Sequence, residues 1–556
     1  MRNLRRVSQV LSFGLFVWLL LRTELPRDRF DITNSVPPPV DLYFQLDPLH
    51  FLSTSLAARQ IQTGLLLGLV TILVTVALGR VFCGWICPMG ALSQVTGWLW
   101  RRVGRLRDRV SAQVSTPRQR WKYVILSALL AGALFQINQV GLLDPLSLTY
   151  RSFTTGLIPA LERGMKALFD ASPAWLSGAI APVRQWSENH LFAFQPVHFR
   201  QGLLLGTLFL GLLAASMAVP RLWCRWLCPL GGLLGLLSRH QALRVRVDSE
   251  ICTECGLCNR TCEGAADPHR PGQWLAHECL MCWNCVPACP QGGIAISFPR
   301  ARRAAEPGVD LGRRQVLGAL ALGLVIPPML RVASNPKRVD PRLVRPPGAL
   351  PEPQFLARCV KCGECMKVCP TNFLQEASLE GGFEALWSPV GVPTSGYCSY
   401  ECSLCGQVCP TGAIEELALP VKKKVKIGLA FIIQSRCLPW SFDTPCTVCE
   451  EHCPVPHKAI WLEEVESLTG PEGETLLRPY IDPDLCTGCA ECAYVCPVVD
   501  RPAIEVTSIG ESRSPFNRLT LNTEPRGGRQ RRRRGGQRRR NLTDESPYES
   551  PYPSSN

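Results

Sequence analysis

The chain of 556 residues is poor in histidine and methionine, with eight and seven respectively. No histidine lies within its apolar stretches; His50, His190 and His198 fall between them. Haem iron is held by His, Met, Cys or Tyr, so a haem-bearing membrane bundle is not expected. A Gly-rich dinucleotide fingerprint is missing, as is a nucleophile set beside a paired histidine and carboxylate. Those absences argue against nucleotide-dependent hydride transfer and triad hydrolysis. Only 19% of residues are charged and the mean hydropathy is +0.07, so apolar segments must sit beside polar domains, three or more at this length. The formal charge of +15 concentrates at the flanks of apolar runs and in one tail, which gives little reason to expect nucleic acid.

What the chain has in quantity is cysteine, 28 residues, and their order leaves none over. Four sets lie between Cys359 and Cys496: Cys359, Cys362, Cys365, Cys369; Cys398, Cys402, Cys405, Cys409; Cys437, Cys446, Cys449, Cys453; and Cys486, Cys489, Cys492, Cys496. Each closes on Cys-Pro. Two further sets precede them, at Cys252, Cys255, Cys258, Cys262 and at Cys279, Cys282, Cys285, Cys289. Three thiolates two residues apart reach three irons of one cubane, and the fourth usually ligates the neighbouring cluster. The spacing therefore predicts six 4Fe-4S clusters. In the first module, Cys289 is expected to complete the first set and Cys262 the second. Structural zinc needs one or two CxxC pairs and no crowded third and fourth cysteine, and four thiols in so short a window cannot pair as disulfides without strain. Glu263 stands where a proline would follow Cys262, a departure that puts the geometry of that site in question.

The remaining four cysteines belong to a repeat. Asp47-Pro48-Leu49, an apolar run and FCGWICPMG with Cys83 and Cys87 are matched by Asp144-Pro145-Leu146, an apolar run and WCRWLCPLGG with Cys224 and Cys228. On a helix residues four apart share a face, so each pair presents two thiols, and packing of the two halves would make one four-thiolate site. Redox dithiols and a Cu(I) site are the alternatives. Arg80, Arg221 and Arg225 would supply an electropositive surround. Asp47 and Asp144 are candidates for a proton relay at the outer rim of a membrane, against the plainer reading that Asp-Pro starts a turn. His50 and His198 are weaker candidates for contact with a quinol.

Apolar runs at Val7–Leu21, Thr63–Gly79, Tyr123–Leu143 and Gly202–Val219 predict a four-helix membrane domain of tandem two-helix repeats over 1–240. The first run is expected to be retained rather than cleaved. Arginines after the second and fourth runs place those loops in the cytoplasm. A cytoplasmic two-cluster ferredoxin should follow over 241–300, then a twin-arginine segment (Arg313, Arg314) with an apolar run from Val316 to Leu330 over 301–332. A Pro-rich spacer over 333–354, a small α+β four-cluster module over 355–507 and a disordered Arg-rich tail over 508–556 complete the chain. The tail is expected to meet lipid or an acidic partner.

Two resemblances follow from these motifs. CGWICP and CRWLCP after apolar helices, with a two-cluster module behind, resemble the NapH-type membrane ferredoxins, relatives of NosR and RdxA/CcoG. RPPGALPEPQFLARCVKCGECMKVCPTN, RCLPW and CTVCEEHCPV resemble the NapG/MauM-type ferredoxins. The resemblance implies a fusion of two subunits found separately elsewhere. It also implies electron transfer from membrane quinol, through the clusters, to a periplasmic reductase or small redox carrier, with the four-cluster module outside the cytoplasmic membrane. Four-cluster relatives suggest nested pairing, first set with fourth and second with third; sequential pairing is the rival. The relatives of RdxA/CcoG type offer a second reading, a copper-reducing assembly factor.

Overall fold

The structure is a computed structural model and describes residues 1–23, 35–36, 39–103, 115–190, 197–269, 274–298, 317–318, 320–323, 325, 340–471, 473–514 and 517. Most of the helices lie in the first half: α1 (Arg2–Arg22), α2 (Pro48–Ala58), α3 (Leu67–Leu78), α4 (Pro88–Val103), α5 (Trp121–Leu134), α6 (Pro145–Ser152), α7 (Gly202–Ala218) and α8 (Pro229–Ser238). Proline opens α2, α4, α6 and α8, the position where its missing N–H is no loss. The strands form four separate antiparallel pairs.

Helices α1, α3, α5 and α7 pack chiefly on α2, α4, α6 and α8 rather than on one another, making a bundle whose two ends carry the two cysteine-rich modules. Lys122, at the start of α5, pairs with Glu278 of the first module, whereas Asn138, just past its end, donates to Ala357 O of the second at 3.1 Å. Helix α7 runs the other way: Gln201, before it, reaches Ser378 Oγ at 2.6 Å, and Arg221, after it, reaches Glu263 at 2.8 Å. The carbonyl of Ala77 in α3 accepts from Ala242 and Leu243 of the first module, and Gly64, before α3, faces Pro410 O of the second. At 1.5 Å per residue, α5 and α7 span about 21 and about 25 Å.

Apolar side chains line the outside of the bundle, among them Leu73, Val76, Leu203, Leu204 and Leu208. By length and composition α1 is the one described helix able to cross a membrane; Thr63–Leu78 and Gly202–Ala218 are shorter apolar helices. The expected run Tyr123–Leu143 is not one helix. It stops at Leu134, turns through Gln136 at φ 63° and resumes as a single turn at Val140–Leu143, because Asn138 and Gln139 are spent on the second module. The twin arginine lies outside the described residues, as does most of the apolar run behind it. Of that run, Gly323 sits against Ala128 and Ala131 of α5.

Three two-set units, one in the first module and two in the second, repeat one plan, in which the first and last segments pair around two cysteine sets. β1 (Arg244–Val247) and β2 (Ile294–Ser297) pair in the first, and β5 (Leu429–Ile432) with β8 (Ile504–Thr507) in the last. In the middle one the bridges Val344↔Gly391 and Ala349↔Ile414 do this work, alongside β3 (Leu374–Glu376) and β4 (Pro389–Gly391). A long hairpin, β6 (Ile460–Glu466) and β7 (Thr475–Ile481), is inserted between the last two sets.

Two expected boundaries move. The described part of the Pro-rich spacer is folded: Leu343, Val344, Arg345, Ala349 and Leu350 are buried. Arg345 and Glu352, the first and last residues of RPPGALPE, form a two-pronged ion pair at 3.1 and 2.6 Å. The tail does not begin at 508 either, since Ser512 N donates to Lys426 O and Arg513 adds a second cation to Glu352 at 2.8 Å. The arginine run beyond lies outside the described residues.

Burial alone would raise the Glu352 carboxyl, but Arg345 and Arg513 hold it at about 2. Its stabilisation is therefore complete above its ordinary value of 4.5 and is lost as pH falls through about 2. Glu352→Gln should lower the stability of the second region by about 2 kcal/mol at neutral pH, below the 3–5 of a fully buried pair; urea titrations of both chains should converge as pH drops through that window. The bundle contact is tested by Gly141→Ala, whose Cβ would lie 1.8 Å from Val360 O. That variant should expose the junction to protease, while Gly211→Ala, with nothing within 4 Å, should not.

Candidate functional site

The ferredoxin-type cysteines are gathered in fours. Cys252, Cys255, Cys258 and Cys289 line one cavity, and Cys262, Cys279, Cys282 and Cys285 a second, the exchange the spacing predicts. In the second region Cys359, Cys362, Cys365 and Cys409 share a cavity, and Cys453, Cys486, Cys489 and Cys492 another. Cys369 lies in the field of Cys398, Cys402 and Cys405, and Cys496 in that of Cys437, itself coupled to Cys446 and Cys449. Pairing is thus sequential, first set with second and third with fourth, and the nested expectation is wrong. The reason is local closure: each pair of sets is enclosed by its own bridging strands, and the short helices Glu364–Lys367 and Leu404–Gln407 pack together, as do Val448–Glu451 and Glu491–Tyr494.

None of the 28 cysteines is paired as a disulfide, and the cavities are lined by sulfur, apolar side chains and backbone, a donor set suited to iron–sulfur clusters. Where the first gap is two residues, the residue before the second cysteine and the one after it both take positive φ. Glu254 and Gly256, Met281 and Trp283, Lys361 and Gly363, and Gly488 and Ala490 do so. For the non-glycine residues this strain is of order 1–3 kcal/mol each. It turns the chain around the place where a cluster would sit.

Cys398 N donates to Cys489 O at 2.8 Å, which joins the two halves of the second region. Its sets run outward from the bundle as Cys359/362/365/409, Cys369/398/402/405, Cys453/486/489/492 and Cys437/446/449/496. RCLPW fixes the outermost: Arg436 donates to Arg501 O, and Trp440 Nε1 to Pro479 O at 3.1 Å.

Glu263 has a positive role that the missing proline hid. It accepts from Arg5 of α1 at 2.9 Å and Asn284 at 2.9 Å, and pairs with Arg221. Burial opposes its charge, yet Arg221 and Arg5 hold it at about 2.

Cys83, Cys87, Cys224 and Cys228 are brought together, each no more than 7% exposed and electrostatically coupled across the two halves. They do not sit on regular α-helix. Phe82–Ile86 and Trp223–Leu227 are single π turns, and Cys87 and Cys228 stand at the N-termini of α4 and α8. Gly231 N donates to Cys228 Sγ at 3.1 Å. Arg80 and Arg221 are buried beside them; Arg225, also buried, faces the first module's Cys262 and Glu278 instead.

Asp47 and Asp144 also meet. Each caps its helix, Asp47 accepting from Leu49 N at 2.8 Å and Asp144 from Leu146 N and Ser147 N at 2.9 Å. The turn reading therefore holds, and it is incomplete. His50, fully buried on α2, lies between them, with Nδ1 3.5 Å from Asp47 Oδ2 and Nε2 3.4 Å from Asp144 Oδ2. Asp47 Oδ2, Asp144 Oδ1 and His50 Nδ1 have no hydrogen-bond partner. The trio is compact, its three ligand atoms within 4.8 Å of one another. His50 was undervalued as a residue between apolar runs; its i,i+3 spacing from Asp47, on the face of a helix opened by Asp-Pro, was the available signal. His198 is exposed, offers only its carbonyl, to Asn372 and Gln375, and does not join the site; His190 ends the helix Ala174–His190.

Comparison with known proteins agrees with this arrangement. A 4Fe-4S binding domain matches residues 60–106, 201–247 and 405–428, and 4Fe-4S dicluster domains match 358–414 and 444–499. The last two spans cover the sequential pairs, with Cys437 lying just ahead of the second span. The methylamine utilization ferredoxin-type protein MauM of Methylorubrum extorquens is 32% identical over 37% of this chain and 89% of its own length. The ferredoxin-type protein NapG of Escherichia coli is 33% identical over 37% and 88%, and NapH of the same organism 26% over 53% and 88%. No solved structure matches.

The pairing has a direct test. Cys369→Ser should perturb the spectrum of the cluster held by Cys398, Cys402 and Cys405, and Cys409→Ser that of Cys359, Cys362 and Cys365, read by EPR of each variant. Nested pairing would move the effect to the last two sets.

With its cysteine sets, their dicluster pairing and these relatives together, the chain belongs to the NapG/MauM family of ferredoxin-type iron–sulfur electron-transfer proteins, fused here to a NapH-like half.

Proposed function

We propose that the chain carries electrons from membrane quinol to a periplasmic oxidoreductase or small redox carrier, using six 4Fe-4S clusters held by the 24 ferredoxin-type cysteines. The supporting observation is one continuous buried core. It runs from Leu280 of the first module through Phe82, Cys83, Cys87 and Leu146 to Val360 and Cys362 of the second. Cysteine sets thus flank both ends of a bundle clad in apolar side chains, the arrangement a transmembrane wire needs. When bound, the clusters supply one-electron carriage; the chain supplies their order, their insulation from water and the proton sites.

On this reading α1, α3, α5 and α7 cross the cytoplasmic membrane, with the amino terminus and first module inside. The segment ending near Leu330 makes a fifth crossing, and the second region is periplasmic. Helices α3, α5 and α7, of about 18, about 21 and about 25 Å, are short for a hydrocarbon core of about 30 Å and are extended by their flanking turns. Oxidising a quinol releases two protons with two electrons. Asp47, His50 and Asp144 offer unpartnered atoms for those protons, and Arg151, electrostatically coupled to both Asp144 and Cys362, links them to the nearest cysteine set of the second region. Full burial makes the trio a relay rather than a docking surface. The copper-reducing alternative rests on the four bundle thiols, but these are enclosed, with no open face for handing over a metal.

Reporter fusions after Pro299 and Pro353 should report opposite sides of the membrane, and the same side for both would sink the topology. Asp47→Asn and Asp144→Asn should each slow quinol-driven reduction of the outer clusters in liposomes by about 10-fold or more, within the range for a lost proton-transfer group. Iron content should be unchanged. Normal turnover in both would leave only helix capping.

A further inference from the structure

We propose that Cys83, Cys87, Cys224 and Cys228 together ligate a seventh iron–sulfur cluster, placed between the two halves of the bundle. This rests on the electron-transfer reading and adds a site to it.

The first argument is how the ligands are presented. Each half contributes the same pair on the same π turn, and each second cysteine stands at a helix N-terminus. Two elements of the sequence therefore converge on one enclosed set of four thiols, with none paired as a disulfide. Four thiolates are the ligand set of 2Fe-2S and 4Fe-4S clusters alike.

The second argument is spacing. Zinc held by sulfur at about 2.3 Å would draw the four sulfurs into tetrahedral contact. Among the described residues the only group with three ligand atoms within 4.8 Å of one another is Asp47, His50 and Asp144. The bundle thiols stand further apart than one ion would hold them, and in this they match the 24 ferredoxin-type cysteines.

The third argument is charge. Arg80 and Arg221 are both 1% exposed, and each reaches across to the other half. Arg80 Nη2 lies 2.8 Å from the point a Cβ on Gly231 would occupy, with Cys228 Sγ 3.4 Å from the same point; Arg221 Nη1 lies 3.3 Å from the corresponding point at Gly90. Arg80 spends Nη1 on His277 O at 3.0 Å and lies 3.8 Å from Glu278, a single carboxylate that it shares with Lys122, while its Nε and Nη2 have no acceptor. A buried guanidinium with unused donors, aimed beside thiols from two sides, calls for an anion there. A cluster with four thiolate ligands is one, and N–H donors toward its sulfurs tune its potential. Glycine at 90 and 231 is what lets the two arginines in.

The site is also where a carrier would be useful. Arg221 couples electrostatically to Cys282 of the first module as well as to Cys87 and Cys224, and Cys87 couples to Asp144. Each electron accepted here from one side is given up to the other, so the cluster returns to its starting state and no co-reactant is consumed.

The test uses the full chain, purified anaerobically. The double variant Cys83→Ser/Cys228→Ser should lose about two to four irons per chain with matching acid-labile sulfide, and one EPR signal should vanish while those of the ferredoxin modules persist. Arg80→Met, which keeps all four thiols, should retain the iron and shift the midpoint potential of that signal downward. Iron and signals equal to the parent in the double variant would overturn the proposal. So would one zinc or copper per parent chain that the variant loses. If the signal is present but quinol never reduces the outer clusters, the site stands and the quinol reading falls; quinol reduction without the signal gives the reverse.

Discussion

Charge burial is the constraint on which this structure depends. Arg80, Lys122, Arg151, Arg221 and Lys361 are all at most 1% exposed, at the two seams between bundle and modules. Lys122 and Arg80 share Glu278, and Arg221 pairs with Glu263. Arg151 donates to the carbonyls of Gly141 and Lys361, and Lys361 to Asn138 O and Gln139 Oε1. Carbonyls satisfy donors but do not neutralise charge, and an uncompensated buried cation is expensive. For Arg151 and Lys361 the balance falls to the anionic groups alongside, Cys362, Glu376, Cys359 and Asp144 around Arg151 and Cys359 beside Lys361. Cluster loading and the seating of the modules are therefore one equilibrium.

Two glutamates do for the modules what the thiolates do for the cations. Glu263 joins α1, the end of α7 and the first module through Arg5, Arg221 and Asn284. Glu352 joins the start of the second region to its end through Arg345 and Arg513. Both stay ionised down to about pH 2, held there by two arginines against the pull of burial. In each case a residue that local ferredoxin spacing does not require is explained by contacts remote in sequence.

That distinction marks what could be read from the sequence. The six sets, the exchange of Cys262 and Cys289 and the convergence of the four bundle thiols were legible, because ligand spacing and an internal repeat are local signals. Pairing of the last four sets was misjudged, since resemblance to four-cluster relatives was preferred to the bridges at Val344 and Ala349 that only the fold displays. His50 ranks in the sequence only as a weak candidate for quinol contact, because a lone histidine between apolar runs is ordinarily solvated, and nothing local says that Asp144, 94 residues on, will close over it. The break after Leu134 was hidden by composition: FQINQ is apolar enough to prolong a span, and only the neighbouring module shows why Asn138 and Gln139 leave it.

Fusion changes what the seam between bundle and second region has to achieve. A tethered partner docks at an effective concentration in the millimolar range, so the contact need not supply the affinity that two separate subunits would require. Its chemistry fits that relaxed demand: Asn138, Gln139, Arg151 and Lys361 are polar, and buried polar or ionic contacts contribute specificity more reliably than net affinity. What they specify is register. Val360 O presses on Gly141 at a distance that admits no side chain, and Arg151 spans from Gly141 O to Lys361 O. Electron transfer between fixed centres falls steeply with separation, so a seam that is weak in affinity and exact in register suits a wire better than a tight but adaptable one.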